Sequence, residues 1–193
     1  MVYRLPMTTD AGREVGAAPA RYSRGAAALH WVSAILIITL LFQGFLMTKF
    51  EDSDQKTLFY QLHVTLGYFV LILSIVRVWW ARRDQRPGPL EMPAAEGVAF
   101  KWVHYLLVLG AVVTAAAGVL LLIGSGLLPV STAVTAAEID RSLPVRNAHF
   151  IFALGMVVLL IAHLAGGIMY QRRAGQTFGR MRWPRQSPDP NGR

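Results

Sequence analysis

The sequence predicts an all-α membrane protein, a bundle of four transmembrane helices with both termini in the cytoplasm. Of its 193 residues, 54% are hydrophobic and only 16% are charged, a balance far from that of a soluble domain. Four stretches without Asp, Glu, Lys or Arg are each long enough to cross the hydrocarbon core, which takes roughly 20 apolar residues. Lys and Arg are distributed unevenly between the connections, and this bias predicts the orientation.

The chain divides into three parts. Residues 1–24 form a polar segment that lacks the apolar stretch and cleavage site of a signal peptide, so we expect it to stay attached as a cytoplasmic segment. Residues 25–171 are the transmembrane domain, with spans at 25–48, 57–76, 102–123 and 147–171, the second continuing to about residue 80. A short external lid helix is expected around 132–139. Residues 172–193 form a basic cytoplasmic tail.

The basic residues indicate which side faces the cytoplasm. Of the 19 Lys and Arg residues, only Lys49, Lys56, Arg141 and Arg146 lie in the two connections on one side. The others flank the opposite ends of the spans, so by the positive-inside rule both termini are cytoplasmic. The net charge of +8 belongs to these short flanking segments, not to a basic patch interleaved with aromatic residues, so the lipid bilayer is the expected partner and nucleic acid is not.

The chain contains no cysteine. Disulfides, iron–sulfur clusters, thiolate-ligated haem and covalently attached c-type haem are therefore excluded. Any haem has to be held without a covalent bond to the chain.

All five histidines lie inside or at the ends of the spans, where ionisable groups are costly without a partner. His149 and His163 are about four helical turns apart on the fourth span, so they share a face but differ by about 21 Å in depth. One metal ion cannot bind both, and each needs a partner from another helix at its own depth.

The directions of the helices supply those partners. The first span starts in the cytoplasm, so His30 lies at the level of His163. The second starts outside, so His63 lies at the level of His149. Two axial histidine pairs, each buried between helices, are what six-coordinate b-type haem requires, and imidazole is a suitable iron ligand in such a site.

The offset that separates His149 from His163 recurs on the other spans. From His63 it leads to Arg77, a cation at the cytoplasmic level where haem propionates need a counter-charge. From His30 it leads to Gly44, a small residue that allows a macrocycle to approach the backbone, and Gly67 offers similar room one turn after His63. The sequence thus predicts two flat cavities, one in each leaflet.

His104 is a third histidine at the cytoplasmic level, early in the third span. Depth alone leaves open which two of His30, His104 and His163 bind iron. Gly118 follows His104 at the same offset at which Gly44 follows His30, so the first and third spans each carry a histidine and a glycine at the same spacing.

The residues resemble the bacterial cytochrome b561 family, within the group that includes b-type cytochrome subunits of nickel–iron hydrogenases. The similarity covers 21–185 and rests on RYSRGAAALHW at 21–31, HVTLGY at 63–68 followed by Arg77, the spacing of the last two histidines, and RMRWPR at 180–185. The resemblance implies two non-covalent haems b, one ligated by His30 and His163 near the cytoplasm and the other by His63 and His149 near the outside. It implies that His104 is a non-ligand close to the cytoplasmic haem, and it places the chain in a bacterial inner membrane.

The function that follows is electron transfer between the quinone pool and a donor or acceptor at the external face, with quinone as the substrate. Arg77, His104 and Tyr170 are candidates to line a quinone site. Some relatives of this type are similar to superoxide oxidases, but five acidic residues outweigh the four basic ones on the external side and do not favour an anionic substrate. Two further alternatives are the membrane anchor of a larger redox complex and a haem-free transporter or scaffold.

Overall fold

A computed structural model describes residues 21–84, 87–88, 92–127, 138–139, 142–175 and 177–181. Five helices lie wholly within these residues, four long and one short: α1 (Arg24–Met47), α2 (Asp54–Arg83), α3 (Ala94–Ser125), α4 (Leu143–Ala174) and α5 (Thr177–Arg180). Each long helix is apolar and long enough to cross a membrane, and the described residues include no strand. The predicted all-α architecture with four membrane-spanning helices is confirmed.

The helices extend beyond the predicted spans at several ends. Helix α3 starts at Ala94 and not at residue 102, and α2 runs from Asp54 to Arg83. At 1.5 Å per residue, helices of 30 and 32 residues are longer than the roughly 30 Å hydrocarbon core. The apolar runs therefore mark the part of each helix that lies in lipid, and the polar end turns continue past it.

Local signals explain where the helices begin and end. The hydroxyls of Ser23 and Ser53 accept hydrogen bonds from the first turns of α1 and α2, as N-cap residues do. Gly126 and Gly175 follow α3 and α4 with φ of 71° and 69°, the left-handed conformation that glycine adopts without strain at the end of a helix.

Some sequence predictions fall outside the described residues. These are most of the N-terminal segment (1–20), residues 132–137 of the expected lid, and the tail from residue 182 onward. Within the lid, Glu138 and Ile139 are helical, and Ile139 is buried against Leu122 and Leu127 of the third helix and the turn that follows it.

The close helix contacts are between neighbours in sequence: α1 with α2, α2 with α3, and α3 with α4. Among the described residues, α4 approaches α1 and α2 only marginally. We call the end of the bundle where α1 and α3 begin and α2 and α4 end the basic end, and the other the opposite end. The outer surface is apolar, with Phe42 70% and Ile151 63% exposed, as expected of helices that face lipid.

A buried apolar layer lies halfway along the bundle. It consists of Val70, Ala111 and Met156, with Ile37 packed against it. Each of these residues is seven positions after a histidine of its own helix, which corresponds to about 10 Å of helix rise. This midplane layer separates two histidine levels.

Candidate haem site

At the opposite end, His63 of α2 faces His149 of α4. Their ring centroids are 6.2 Å apart and the rings are inclined by 77°. Two imidazole–metal bonds of about 2 Å, with the distance from each nitrogen to its ring centre, span roughly 6 Å. The two rings therefore have the separation that one six-coordinate iron between them requires.

The orientation of His149 leaves its Nε2 atom available for a metal. Its Nδ1 atom lies 2.9 Å from the carbonyl oxygen of Thr114 on α3. Because a carbonyl only accepts, Nδ1 carries the proton and Nε2 carries the lone pair. Metal-binding histidines are commonly fixed by such a hydrogen bond to a backbone carbonyl.

His63 differs in this respect. Its Nδ1 atom is buried and has no hydrogen-bond partner within the described part of the chain. A buried polar atom without a partner is costly. An unsatisfied nitrogen on an imidazole that faces a second imidazole, that of His149, is what a site built for a bound group would contain.

Three glycines adjoin this pair. A Cβ atom on Gly44 would lie 3.3 Å from Cε1 of His63, and one on Gly118 would lie 3.2 Å from Cε1 of His149. Gly67 has nothing within 4 Å of its Cβ position and lines a cavity of about 90 Å³ with both histidines, Tyr60, Tyr68 and Ile139. Ligand sites usually measure about 300–1,000 Å³, so a haem requires the surrounding side chains to move outward.

At the basic end, His30 of α1 and His163 of α4 also have ring centroids 6.2 Å apart, inclined by 54°. This separation again suits one iron between two imidazoles. The centroid of His104 lies only 4.8 Å from that of His163, in an edge-to-face contact. That distance is too short for an iron between them.

Two further contacts fix the polar groups at the basic end. The Nδ1 atom of His104 lies 2.7 Å from the carbonyl oxygen of Phe100 and therefore donates to it. The Nη2 atom of Arg77 lies 3.0 Å from Nδ1 of His30. Arginine only donates, so in this arrangement His30 accepts at Nδ1 and its proton is on Nε2.

A set of contacts outside the predicted site closes the basic end. The Ser23 hydroxyl donates to Asp84 at 2.7 Å, and the Trp31 indole donates to the carbonyl of Met181 at 3.1 Å. The Arg180 guanidinium donates to the carbonyl of Gly88 at 2.6 Å. The sequence did not predict these contacts. Those to the carbonyls of Met181, Gly88 and Thr114 leave no mark on residue identity, because the acceptor is backbone, and Ser23–Asp84 joins residues 61 positions apart.

The residues in question suit haem better than a bare metal ion. The described residues contain no group of three or more His, Asp or Glu side chains that would hold such an ion. A porphyrin supplies four nitrogen ligands itself, so a pair of imidazoles completes the coordination. The two histidine pairs, each with its rings 6.2 Å apart, fit that donor set.

Comparison with known proteins agrees with this geometry. The family described as prokaryotic cytochrome b561 matches residues 21–184, a range that includes all five histidines. A search of curated proteins finds no match. Because the family match covers most of the chain, the protein belongs to the prokaryotic cytochrome b561 family and is a membrane b-type cytochrome that binds haem b and transfers electrons.

Proposed function

We propose that this cytochrome holds two haems b, one between His63 and His149 and one between His30 and His163, and passes electrons along them between quinone and a redox partner at the external face. The observation that carries the proposal is the repeated ring separation of 6.2 Å at two depths of the bundle. One imidazole pair alone is a packing contact that many helices make. Two with the same spacing, on either side of an apolar layer, favour two cofactors.

Bound haem supplies one-electron chemistry at its iron, and the chain supplies ligation, orientation and the surrounding polarity. In the proposed arrangement the four histidines provide the ligation. The Thr114 carbonyl holds the imidazole of His149 in the tautomer that leaves Nε2 unprotonated. The midplane layer keeps the two levels apart and excludes water between them.

Arg77 has a second role at the basic end. If Nε2 of His30 held the haem iron, the ring proton would lie on Nδ1, and Nδ1 could no longer accept from the guanidinium. Arg77 would then have to turn away from the ring. A part-buried cation at this depth is stabilised by an anionic partner, and we assign that role to a haem propionate.

We place the quinone site at the basic end, in reach of Arg77 and His104. His104 touches the ring of His163 and uses Nδ1 to bind its own helix, so its Nε2 remains available as an acceptor for a ligand. We further propose that this end faces the cytoplasm of a bacterial inner membrane, which leaves the His63–His149 site near the external face.

A superoxide oxidase activity is not favoured by the opposite end. Lys56, one of the few cations predicted to lie outside, is buried and forms an ion pair with Asp52 at 2.7 Å. Its charge is therefore largely cancelled where an incoming anion would have to be attracted.

The test is haem quantitation by pyridine haemochrome on the purified protein, combined with a reduced-minus-oxidised spectrum and electron paramagnetic resonance (EPR). We expect two haems per chain, extractable with acidified acetone, both low-spin with bis-imidazole signals. A short-chain quinol should reduce them. One haem per chain, or none, would overturn the proposal, and so would a high-spin signal from the purified wild-type protein.

A further inference from the structure

The two helical hairpins of the bundle make matching contacts. In the hairpin α1–α2, a Cβ on Gly44 would lie 3.3 Å from Cε1 and 3.9 Å from Nδ1 of His63. In the hairpin α3–α4, a Cβ on Gly118 would lie 3.2 Å from Cε1 and 3.4 Å from Nδ1 of His149. The same two ring atoms therefore rest against a glycine of the preceding helix in both hairpins.

The match extends along the helices. Each glycine follows a histidine of its own helix at the same offset, His30 in α1 and His104 in α3. His63 and His149, in turn, each precede by that same offset a polar residue of the basic end, Arg77 or His163. At that end the two hairpins also make equivalent contacts, Arg77 with His30 and His163 with His104.

We infer that the chain consists of two equivalent helical hairpins, each of which places one imidazole of the His63–His149 site against a glycine, so that Gly44 and Gly118 are positioning residues for the two imidazoles that would hold the haem. The inference rests on the proposed function, because it assigns the rings of that site to iron.

The close approach explains why glycine occupies both positions. Glycine is a poor helix former, so its presence inside a transmembrane helix calls for a packing reason. A methyl group at 3.2–3.3 Å from the ring would be closer than side chains normally pack, and the imidazole would have to shift by a few tenths of an ångström. Such a shift moves the nitrogen that faces the iron.

The contacts of Gly44 with His63 and of Gly118 with His149, which we call the two seats, are not identical. The carbonyl that holds Nδ1 of His149 belongs to Thr114, one turn before Gly118. The equivalent residue before Gly44 is Leu40, yet Nδ1 of His63 is buried with no hydrogen-bond partner in the described structure. The ring of His149 is therefore fixed by a hydrogen bond as well as by the glycine contact, and a methyl group at Gly118 has less room to be accommodated than one at Gly44.

The experiment compares Gly44→Ala and Gly118→Ala with Gly155→Ala, a control in α4 whose Cβ position has nothing within 4 Å. Haem content, EPR signals and the two midpoint potentials are measured on purified protein. We expect both seat variants to change the g-values and potential of the His63–His149 haem, Gly118→Ala more strongly, with the His30–His163 haem unchanged. The control should match wild type.

Wild-type EPR signals and potentials in both seat variants would overturn the inference, and so would equal changes at both haems.

If Gly118→Ala does not fold, the same change is made in His149→Gly protein supplied with imidazole, where the free ligand is not tethered to α4. There we expect Gly118→Ala to add no further change, and an added change would contradict the seat. Wild-type protein with fewer than two haems refutes the proposed function instead, whatever the glycine variants show.

Discussion

His104 and His30 lie at the same level of the bundle but have different neighbours. His30 stands 6.2 Å from His163 with room for a metal, while His104 packs edge-to-face against His163 at 4.8 Å and binds the carbonyl of Phe100. Residue spacing placed three histidines at this depth without ranking them, and the family resemblance implied that His104 is the non-ligand. Ring geometry, which residue spacing does not contain, favours the same choice.

This difference predicts the outcome of two substitutions. His104→Ala should retain two haems per chain and both bis-imidazole EPR signals, because it removes no axial ligand. His30→Ala should lose the haem of the basic end or convert it to high spin, which halves the low-spin signal. Spectra that come out the other way round would mean that α3 and not α1 supplies the ligand.

At the scale of helices, each proposed haem joins two helices that are not neighbours in sequence. His63–His149 links α2 to α4, and His30–His163 links α1 to α4, whereas the close packing in the described chain is between sequence neighbours. The haems would therefore add to the side-chain contacts that these helices make at the midplane layer and between Phe45 and Phe150. Helix α4 is the common partner of both.

Because the two sites share α4 but no ligand, they should be lost separately. His63→Ala or His149→Ala should remove about one of the two haems and leave the EPR signal of the His30–His163 haem in place. Gly155→Ala, on the exposed side of α4, is the matched control. Loss of the basic-end haem alone in either histidine variant would contradict the pairing by depth.

Helix boundaries and contacts were predictable to different degrees. The four spans followed from uncharged runs, since lipid penalises charge, and α3 ends at Ser125, two residues beyond the predicted span, with Gly126 as its C-terminal cap. The early start of α3 at Ala94 was missed because Glu96 and Lys101 interrupt its first turns, so the uncharged run begins only at residue 102. Helix α5 was missed because four residues carry too little periodicity to detect.

The candidate site was predictable where it depends on depth alone. An offset of about four turns on a helix fixes both the depth and the face of a residue. From this offset the sequence analysis paired His63 with His149 and His30 with His163, and in the structure the rings of each pair lie near each other. The contact of Gly44 and Gly118 with imidazole rings could not be predicted, because it depends on how closely neighbouring helices approach. The Arg77–His30 hydrogen bond could not be predicted either, because it depends on side-chain conformation.

At the scale of the whole molecule, orientation remains a prediction, and the absence of cysteine makes it simple to test. Lys49→Cys, after α1, should react with a membrane-impermeant maleimide in intact spheroplasts. Arg82→Cys, near the end of α2, should react only after the membrane is permeabilised. The unmodified chain is the background control, since it has no thiol, and the opposite labelling pattern would reverse the assigned topology.

The midplane layer has a consequence for energetics. Between the two histidine levels the four helices carry no Asp, Glu, Lys, Arg or His, so no strongly acidic or basic side chain is there to accompany an electron that moves between the proposed haems. The electron would then cross about 21 Å of the roughly 30 Å hydrocarbon core without a compensating charge. Moving one charge through the full membrane voltage is worth about 2.3 kcal/mol per 100 mV, so this step feels roughly 1.6 kcal/mol per 100 mV. The voltage of an energised membrane would therefore shift the division of an electron between the two haems by about tenfold per 100 mV.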